Sequence, residues 1–276
     1  ASVETRQAFA QARSLCLKLD NAPEYFQALF GIWGHRWMRG ENDDALNMAK
    51  EFVSRAQASA DIVLLRVAHR VMGSTLLTIG EFESSRQHFE KTIALSTAAG
   101  ERPLYHLYMV EPQAASLLLL SWDLWVLGYP DQSLSRVSEG LALGRELGHP
   151  YTIAFAHYMM SVVHLLRGDP ASALASAEES LEMSREQRFS LYILLSRISR
   201  ARAIGELGRL AEGQSEMKLA LDDARRDGIG FMLPMMDSWL ADVHARSHDY
   251  DTALSIVEHT LAQVDDVTGR AWEAEL

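Results

Sequence analysis

Ten histidines, one cysteine and 37 acidic residues are the side chains best suited to holding a metal or moving a proton. Their spacing assembles no familiar catalytic set. His244 and His248 stand four apart and would share a face if one helix carried both, but His248 falls at a turn position, so the pair reads as turn residues rather than ligands. His157 and His164, seven apart, read as half-buried polar residues of one helix. Cys16 is alone, which excludes a paired-thiol zinc site and an internal disulfide and fits a reducing cytoplasm. No Gly-Lys pair exists, so a phosphate-binding P-loop is absent, and neither an H-E-x-x-H zinc helix nor a G-x-S-x-G nucleophile turn occurs. The metal-binding acid pair of a nucleotide cyclase needs strands, and no stretch reads as a strand. The expectation is a chain that is not itself an enzyme and binds no metal or cofactor.

The aromatic and cationic side chains are more informative. Four of the six tryptophans, Trp33, Trp37, Trp122 and Trp125, fall in two short clusters. Between them, residues 101–112 hold Leu104, Tyr105, His106, Leu107, Tyr108, Met109 and Val110, too apolar for a solvated loop. With His69, Arg70, Tyr158 and Arg202, the residues Trp37, Trp122, Trp125, Tyr105, His106 and Tyr108 form a candidate lining for a ligand or partner groove. The bland alternatives are packing between helices for the tryptophans and a plug between repeats for 101–112.

Which reading holds depends on the elements that carry these residues. Helical periodicity is nearly continuous, and its breaks recur: Gly40, Gly80, Gly128, Gly168 and Gly208 are spaced 40, 48, 40 and 40 apart, and a further 40 reaches His248. Five residues after each mark stands a small residue (Ala45, Ser85, Ser133, Ala173, Gly213, Ala253). Seven before it stand Trp33, Gly73, Ser121, Ser161, Ala201 and Ala241, small in five of six. Small residues at matching sites on successive helices let their axes approach, as an antiparallel hairpin requires. Each period is therefore a helix A, a tight turn and a helix B. Helix A is expected at about 22–39, 60–79, 111–127, 149–167, 189–207 and 230–247. Asp169 with Pro170, Asp249, and Asn21 through Glu24 read as helix starts, and Gly100, Gly148 and Gly228 as ends of B helices. The eight-residue surplus in the second step falls at 101–112. The fold class expected is all-α, a right-handed α-α superhelix of long hairpin repeats.

The small-residue signature, the turn glycine and the apolar site nine residues later (Phe89, Val137, Met217, Val257) resemble the tetratricopeptide repeat. The stretch 128–156, GYPDQSLSRVSEGLALGRELGHPYTIAFA, with LTIGEFESSRQHFEKTIAL before it and GRAWEAEL at the end, resembles the repeat region of large bacterial signalling proteins. Those carry a class III adenylate/guanylate cyclase domain and an AAA-type, signal-transducing NTPase module ahead of the array. The resemblance implies a regulatory array whose partner is a peptide, another protein, or the parent's own NTPase and cyclase domains. It implies no catalytic residues in this chain. Transcriptional activators built on such NTPases bind inducers in a similar superhelix, so a small-molecule effector, sugar or metabolite, is the alternative.

Composition agrees. Lys+Arg is 26 against Asp+Glu 37, a formal charge of −11, so the basic footprint of a nucleic-acid or anionic-lipid binder is missing. No apolar run is long enough for a membrane span. A length of 276 residues divides into residues 1–20 as a lone B-type helix, six repeats over 21–268, and 269–276 as the start of a further helix, a monomeric or weakly dimeric solenoid cut from a longer chain. The inner positions ten and six residues before each mark are Phe30/Gly34, Arg70/Ser74, Leu118/Trp122, Tyr158/Val162, Ile198/Arg202 and Ser238/Asp242. They are not the Lys, Arg and Asn set of a C-terminal carboxylate clamp, and suit an apolar or aromatic ligand with one anionic group.

Overall fold

The computed structural model describes residues 7, 8, 11, 14, 15, 23–97 and 103–263. The expectations for most of 1–20, for Asn21, Gly100 and 269–276 lie outside the described residues. Among these the chain forms α1 (Pro23–Met38), α2 (Asn42–Ser59), α3 (Ile62–Thr78), α4 (Phe82–Thr97), the single turn α5 (Tyr105–Tyr108), α6 (Pro112–Val126) and α7 (Pro130–Glu146). Next come α8 (Pro150–Leu166), α9 (Pro170–Gln187), α10 (Ser190–Glu206), α11 (Leu210–Arg226), α12 (Leu233–Arg246) and α13 (Tyr250–Gln263). Leaving α5 aside, the rest pair as six antiparallel hairpins stacked in order, with α1, α3, α6, α8, α10 and α12 as the A helices.

The hairpins turn on a backbone rule. At every mark the residue has positive φ, from 63° at His248 to 91° at Gly208. Its N–H reaches the carbonyl three residues back, and the next N–H reaches the carbonyl five residues back, as in Gly80 to Leu77 and Glu81 to Leu76. This is the Schellman closure of a helix C-terminus, and it satisfies carbonyls that the helix leaves open. His248 adopts it at the expense of a Cβ clash that glycine avoids. Gly148, Arg188 and Gly228 end B helices the same way, and Ala60 ends α2 at positive φ with the three-back bond alone, so two of these four ends are built without glycine. Asp169 accepts from the Ser172 N–H and Asp249 from the Thr252 N–H, capping the following B helices.

Within a hairpin the small residues touch as their spacing requires. A Cβ added to Gly213 would lie 2.7 Å from the Ala201 carbonyl oxygen, and one added to Gly73 would lie 2.7 Å from the Phe89 ring. Ser85 Oγ is 2.9 Å from the Gly73 carbonyl and 2.7 Å from Asp123 Oδ2 on the next repeat. One hydroxyl proton cannot serve both acceptors. Burial raises the pKa of Asp123 well above the usual carboxylate range, toward the protonated form that can supply a second proton. The pair thereby ties two hairpins together.

The array also closes on itself. The carbonyl of Met38, at the end of α1, accepts from Gly230 N–H at 2.7 Å and Phe231 N–H at 3.4 Å, and the Trp37 and Phe231 rings are 4.5 Å apart. The first repeat therefore meets the last, and the A helices surround an interior. The seam demands bare backbone: a Cβ on Gly230 would sit 2.2 Å from the Arg39 carbonyl oxygen. Gly230→Ala is expected to part the seam, lowering the melting temperature and increasing the radius of gyration measured by small-angle X-ray scattering, with helicity retained.

Candidate functional site

The interior is built from one stripe of each A helix. On α1 the stripe is Phe30, Gly34 and Trp37, placed on one face by steps of four and three. Trp33 flanks it, 1% exposed, and donates through its indole N–H to Thr75 Oγ1 at 2.9 Å. Trp37 donates to the Ser74 carbonyl at 3.0 Å and stacks on Trp33 with ring centroids 5.5 Å apart. Across the interior, α8 contributes Tyr151, Phe155 and Tyr158, and α10 contributes Tyr192, whose ring stacks on Phe155 at 5.4 Å and meets Tyr151 edge-on at 4.9 Å. The Tyr158 hydroxyl lies 3.8 Å from Met232 Sδ beside the seam.

Arg70 of α3 projects into this aromatic enclosure. Its guanidinium carbon lies 5.4 Å from the Phe30 ring centroid and 5.2 Å from that of Trp33. Its Nε is buried without a hydrogen-bond partner. No carboxylate of the described residues pairs with it, and Tyr151 and Tyr192 are the groups it senses electrostatically. Desolvation drops its pKa to about 10, which leaves it charged at neutral pH. The neighbouring inner arginines differ: Arg66 pairs with Glu111 at 2.6 Å, and Arg202 pairs with Glu206 at 2.9 Å while lying over Trp239. A Cβ added to Gly34 would meet no heavy atom within 4 Å, so the stripe between Phe30 and Trp37 borders open space.

Residues 103–111 of the insertion pack inward. Leu104, Tyr108 and Val110 are buried, and the Tyr108 ring meets Phe30 edge-on at 5.1 Å. Glu111 anchors the segment, accepting from Arg66 Nη2 and, at 2.6 Å, from the Leu104 N–H. Leu107 and Met109 stay exposed.

The sequence-derived lining is therefore divided. Arg70, Trp37, Tyr108 and Tyr158 come together around the interior, but Trp37, Tyr108, Trp122 and Tyr158 are all under 10% exposed. These aromatic side chains line an enclosed, largely self-packed interior, because the first and last repeats meet. His69 turns toward its own hairpin, its Nδ1 2.9 Å from that of His88 on α4. Tyr105 stacks on His149 at the start of α8 (4.2 Å), His106 is exposed, and Trp125 is half-buried near the end of α6. Gly34, Tyr151, Tyr192 and Phe231 were not singled out as site residues. Phe30/Gly34 already stood out as the inner pair lacking a side chain. The two tyrosines carried no signal beyond lying in the first turn of A helices.

A tetratricopeptide-repeat family profile matches residues 154–179, most of α8 with the first part of α9. No curated protein sequence matches the chain. Among solved structures, a Rap protein complexed with competence and sporulation factor is similar over 98% of this chain and 73% of its own, at 14% identity and a TM-score of 0.68. The apo form of RapI matches over 95% and 73%, at 16% identity and 0.53. BtubC (BKLC) from P. vanneervenii matches over 80% and 90%, at 14% identity and 0.55. The chain thus contains a tetratricopeptide-repeat match and has a TPR-like solenoid fold. Among the described residues no helix is long and apolar enough to cross a membrane, and no cluster of His, Cys, Asp or Glu could hold a metal.

Two interactions of this region are open to measurement. Glu111→Ala breaks the buried ion pair with Arg66, and breaking such a pair costs about 3–5 kcal/mol, to be read as a lower urea midpoint. The His69–His88 pair has the opposite chemistry, two rings that the fold keeps neutral. Burial lowers both, taking His88 to about 4. Above pH 6.5 folded and unfolded rings are alike neutral; below it the unfolded rings bind protons that the folded ones refuse, so the pair costs stability as pH falls from 6.5 toward 4. Asp123, raised by burial, acts in the contrary sense. The measurement is therefore a difference: His88→Gln is expected to lose less stability than wild type between pH 7 and 5.

Proposed function

We propose that this chain is the interaction and regulatory array of a larger bacterial signalling protein, holding a peptide or a partner segment against the inner stripes of its A helices. The observation that carries the reading is the placement of its recognition chemistry. Aromatic faces and an unneutralised arginine gather on the inner stripes, where no catalytic constellation stands beside them among the described residues. The TPR-like fold supports a binding role, and one similar structure, the Rap protein, is a complex with competence and sporulation factor. The wider context rests on the sequence resemblance alone: a cytoplasmic parent with NTPase and cyclase domains whose output the array controls.

A second reading, a small-molecule sensor, is favoured by one feature. The seam between Met38 and Gly230 encloses the interior, and enclosure suits a ligand of limited size. Both readings place the occupant among the same aromatic side chains.

The test is titration calorimetry of the chain against the parent's separately expressed NTPase and cyclase domains and against randomised pentapeptides, followed by a metabolite screen by thermal shift. Saturable binding to a domain or peptide is the expected outcome, weakened by Tyr158→Ala at the interior. Thermal shifts by one metabolite class with no peptide or domain binding would replace the first reading by the second. Silence in every arm would remove both.

A further inference from the structure

Resting on the reading of the interior as a binding site, we infer that Arg70 is the seat for a single carboxylate group, carried by a ligand whose apolar body lies along Phe30, Gly34 and Trp37. Three observations converge on it. The first is charge. Arg66 and Arg202 are neutralised by Glu111 and Glu206, whereas Arg70 has no carboxylate partner among the described residues and its Nε is buried and unsatisfied. A guanidinium left this way is costly to the fold, and cation–π contact with Phe30 and Trp33 compensates only in part.

The second is valence. One uncompensated positive charge in an aromatic enclosure calls for a monoanion. A phosphate dianion would arrive with a second charge that no other unpaired inner arginine answers. A carboxylate fits the planar fork of a guanidinium bidentately. Tyr151 and Tyr192, hydrogen-bonded to each other, lie near enough for Arg70 to sense them electrostatically. The third is room. At Gly34 the stripe lacks a side chain and faces open space, between two aromatic rings suited to an apolar or planar body.

The carboxylate has two sources, the free C-terminus of a short peptide or a small organic acid, and the probes separate them. The full chain is titrated with 3-phenylpropanoate and its amide, and with randomised apolar pentapeptides as free acids and as C-terminal amides. Quenching of tryptophan fluorescence is followed, since Trp33 borders the guanidinium. Free acids are expected to bind at least about tenfold tighter than their amides, as for loss of one charge-assisted bidentate contact. A preference seen with the pentapeptides names the peptide source, and one seen with phenylpropanoate alone names the small acid. Arg70→Met is expected to erase the preference and to raise the melting temperature of the unliganded protein, because an unpaired buried charge is removed. Gly34→Phe, whose Cβ has room, is expected to block both acids while Arg70 remains. Should Arg70→Met fail to fold, the acid-against-amide comparison on wild type decides alone. Equal binding of acids and amides would overturn the carboxylate seat while leaving the interaction reading in place. Absence of all binding would overturn both.

Discussion

A left-handed residue recurs at twenty-residue steps on either side of the insertion, and the rest of the molecule follows from that backbone constraint. Positions 40, 60 and 80, and then 128 through 248, all adopt positive φ and close the preceding helix. The spacing limits each paired helix to between 14 and 18 residues. Helices of nearly equal length joined by equal turns stack in register, so the same face of every A helix points inward. A helix one turn longer would rotate its successor and scatter the stripe that Phe30, Arg70, Tyr158 and Arg202 share.

Register places the residues, and packing then divides them by energy. The buried pair Arg66–Glu111 and the hydrogen-bonded pair Asp123–Ser85 hold polar groups against each other, and each joins segments far apart in sequence. They behave as fasteners. Arg70 satisfies nothing comparable. It is one helical turn beyond Arg66, in the same protein and of the same chemistry, yet without the acid that Glu111 gives its neighbour. Buried charges left unpaired in a folded protein are uncommon because the folded state loses several kcal/mol by them. The contrast lies within a single helix, between two side chains of the same kind, and it is the observation on which the proposed role of Arg70 rests.

Much of the architecture was legible in one dimension because backbone rules are local. The marks at Gly40 through His248 give all six A helices to within about three residues at each end, and Gly73/Ser85 and Ala201/Gly213 meet as their spacing requires. The site was legible only in part. Arg70, Trp37, Tyr108 and Tyr158 lie at predictable inner positions or in the insertion. Their burial could not be read, since it depends on the contact of Met38 with Gly230 across the whole array. His69 and Trp125 were placed on the inner face by the same periodicity. His69 turned away because His88, nineteen residues on, offered a partner within its own hairpin.

The seam that hides the interior is also its weakest boundary. Adjacent repeats share whole helix faces, with buried residues such as Val67, Leu118, Val162 and Ile198 fully enclosed. Between the first and last repeats, two amide hydrogen bonds reach one carbonyl, the Trp37 and Phe231 rings pair, and Gly228 and Gly230 lie against Arg39 and Gly40. Such hydrogen bonds contribute about 1 kcal/mol each, and an aromatic pair adds a comparable amount beyond its area. Parting the seam gives up such local contacts, whereas separating two stacked hairpins gives up whole helix faces. Opening there exposes the interior in a minor population that a ligand can capture. Trp37 links the two events, because it closes the seam through Phe231 and lines the stripe beside Gly34. On the proposed reading, an occupant along that stripe would touch the ring on which closure depends, coupling occupancy of the interior to the joining of first and last repeats through one side chain.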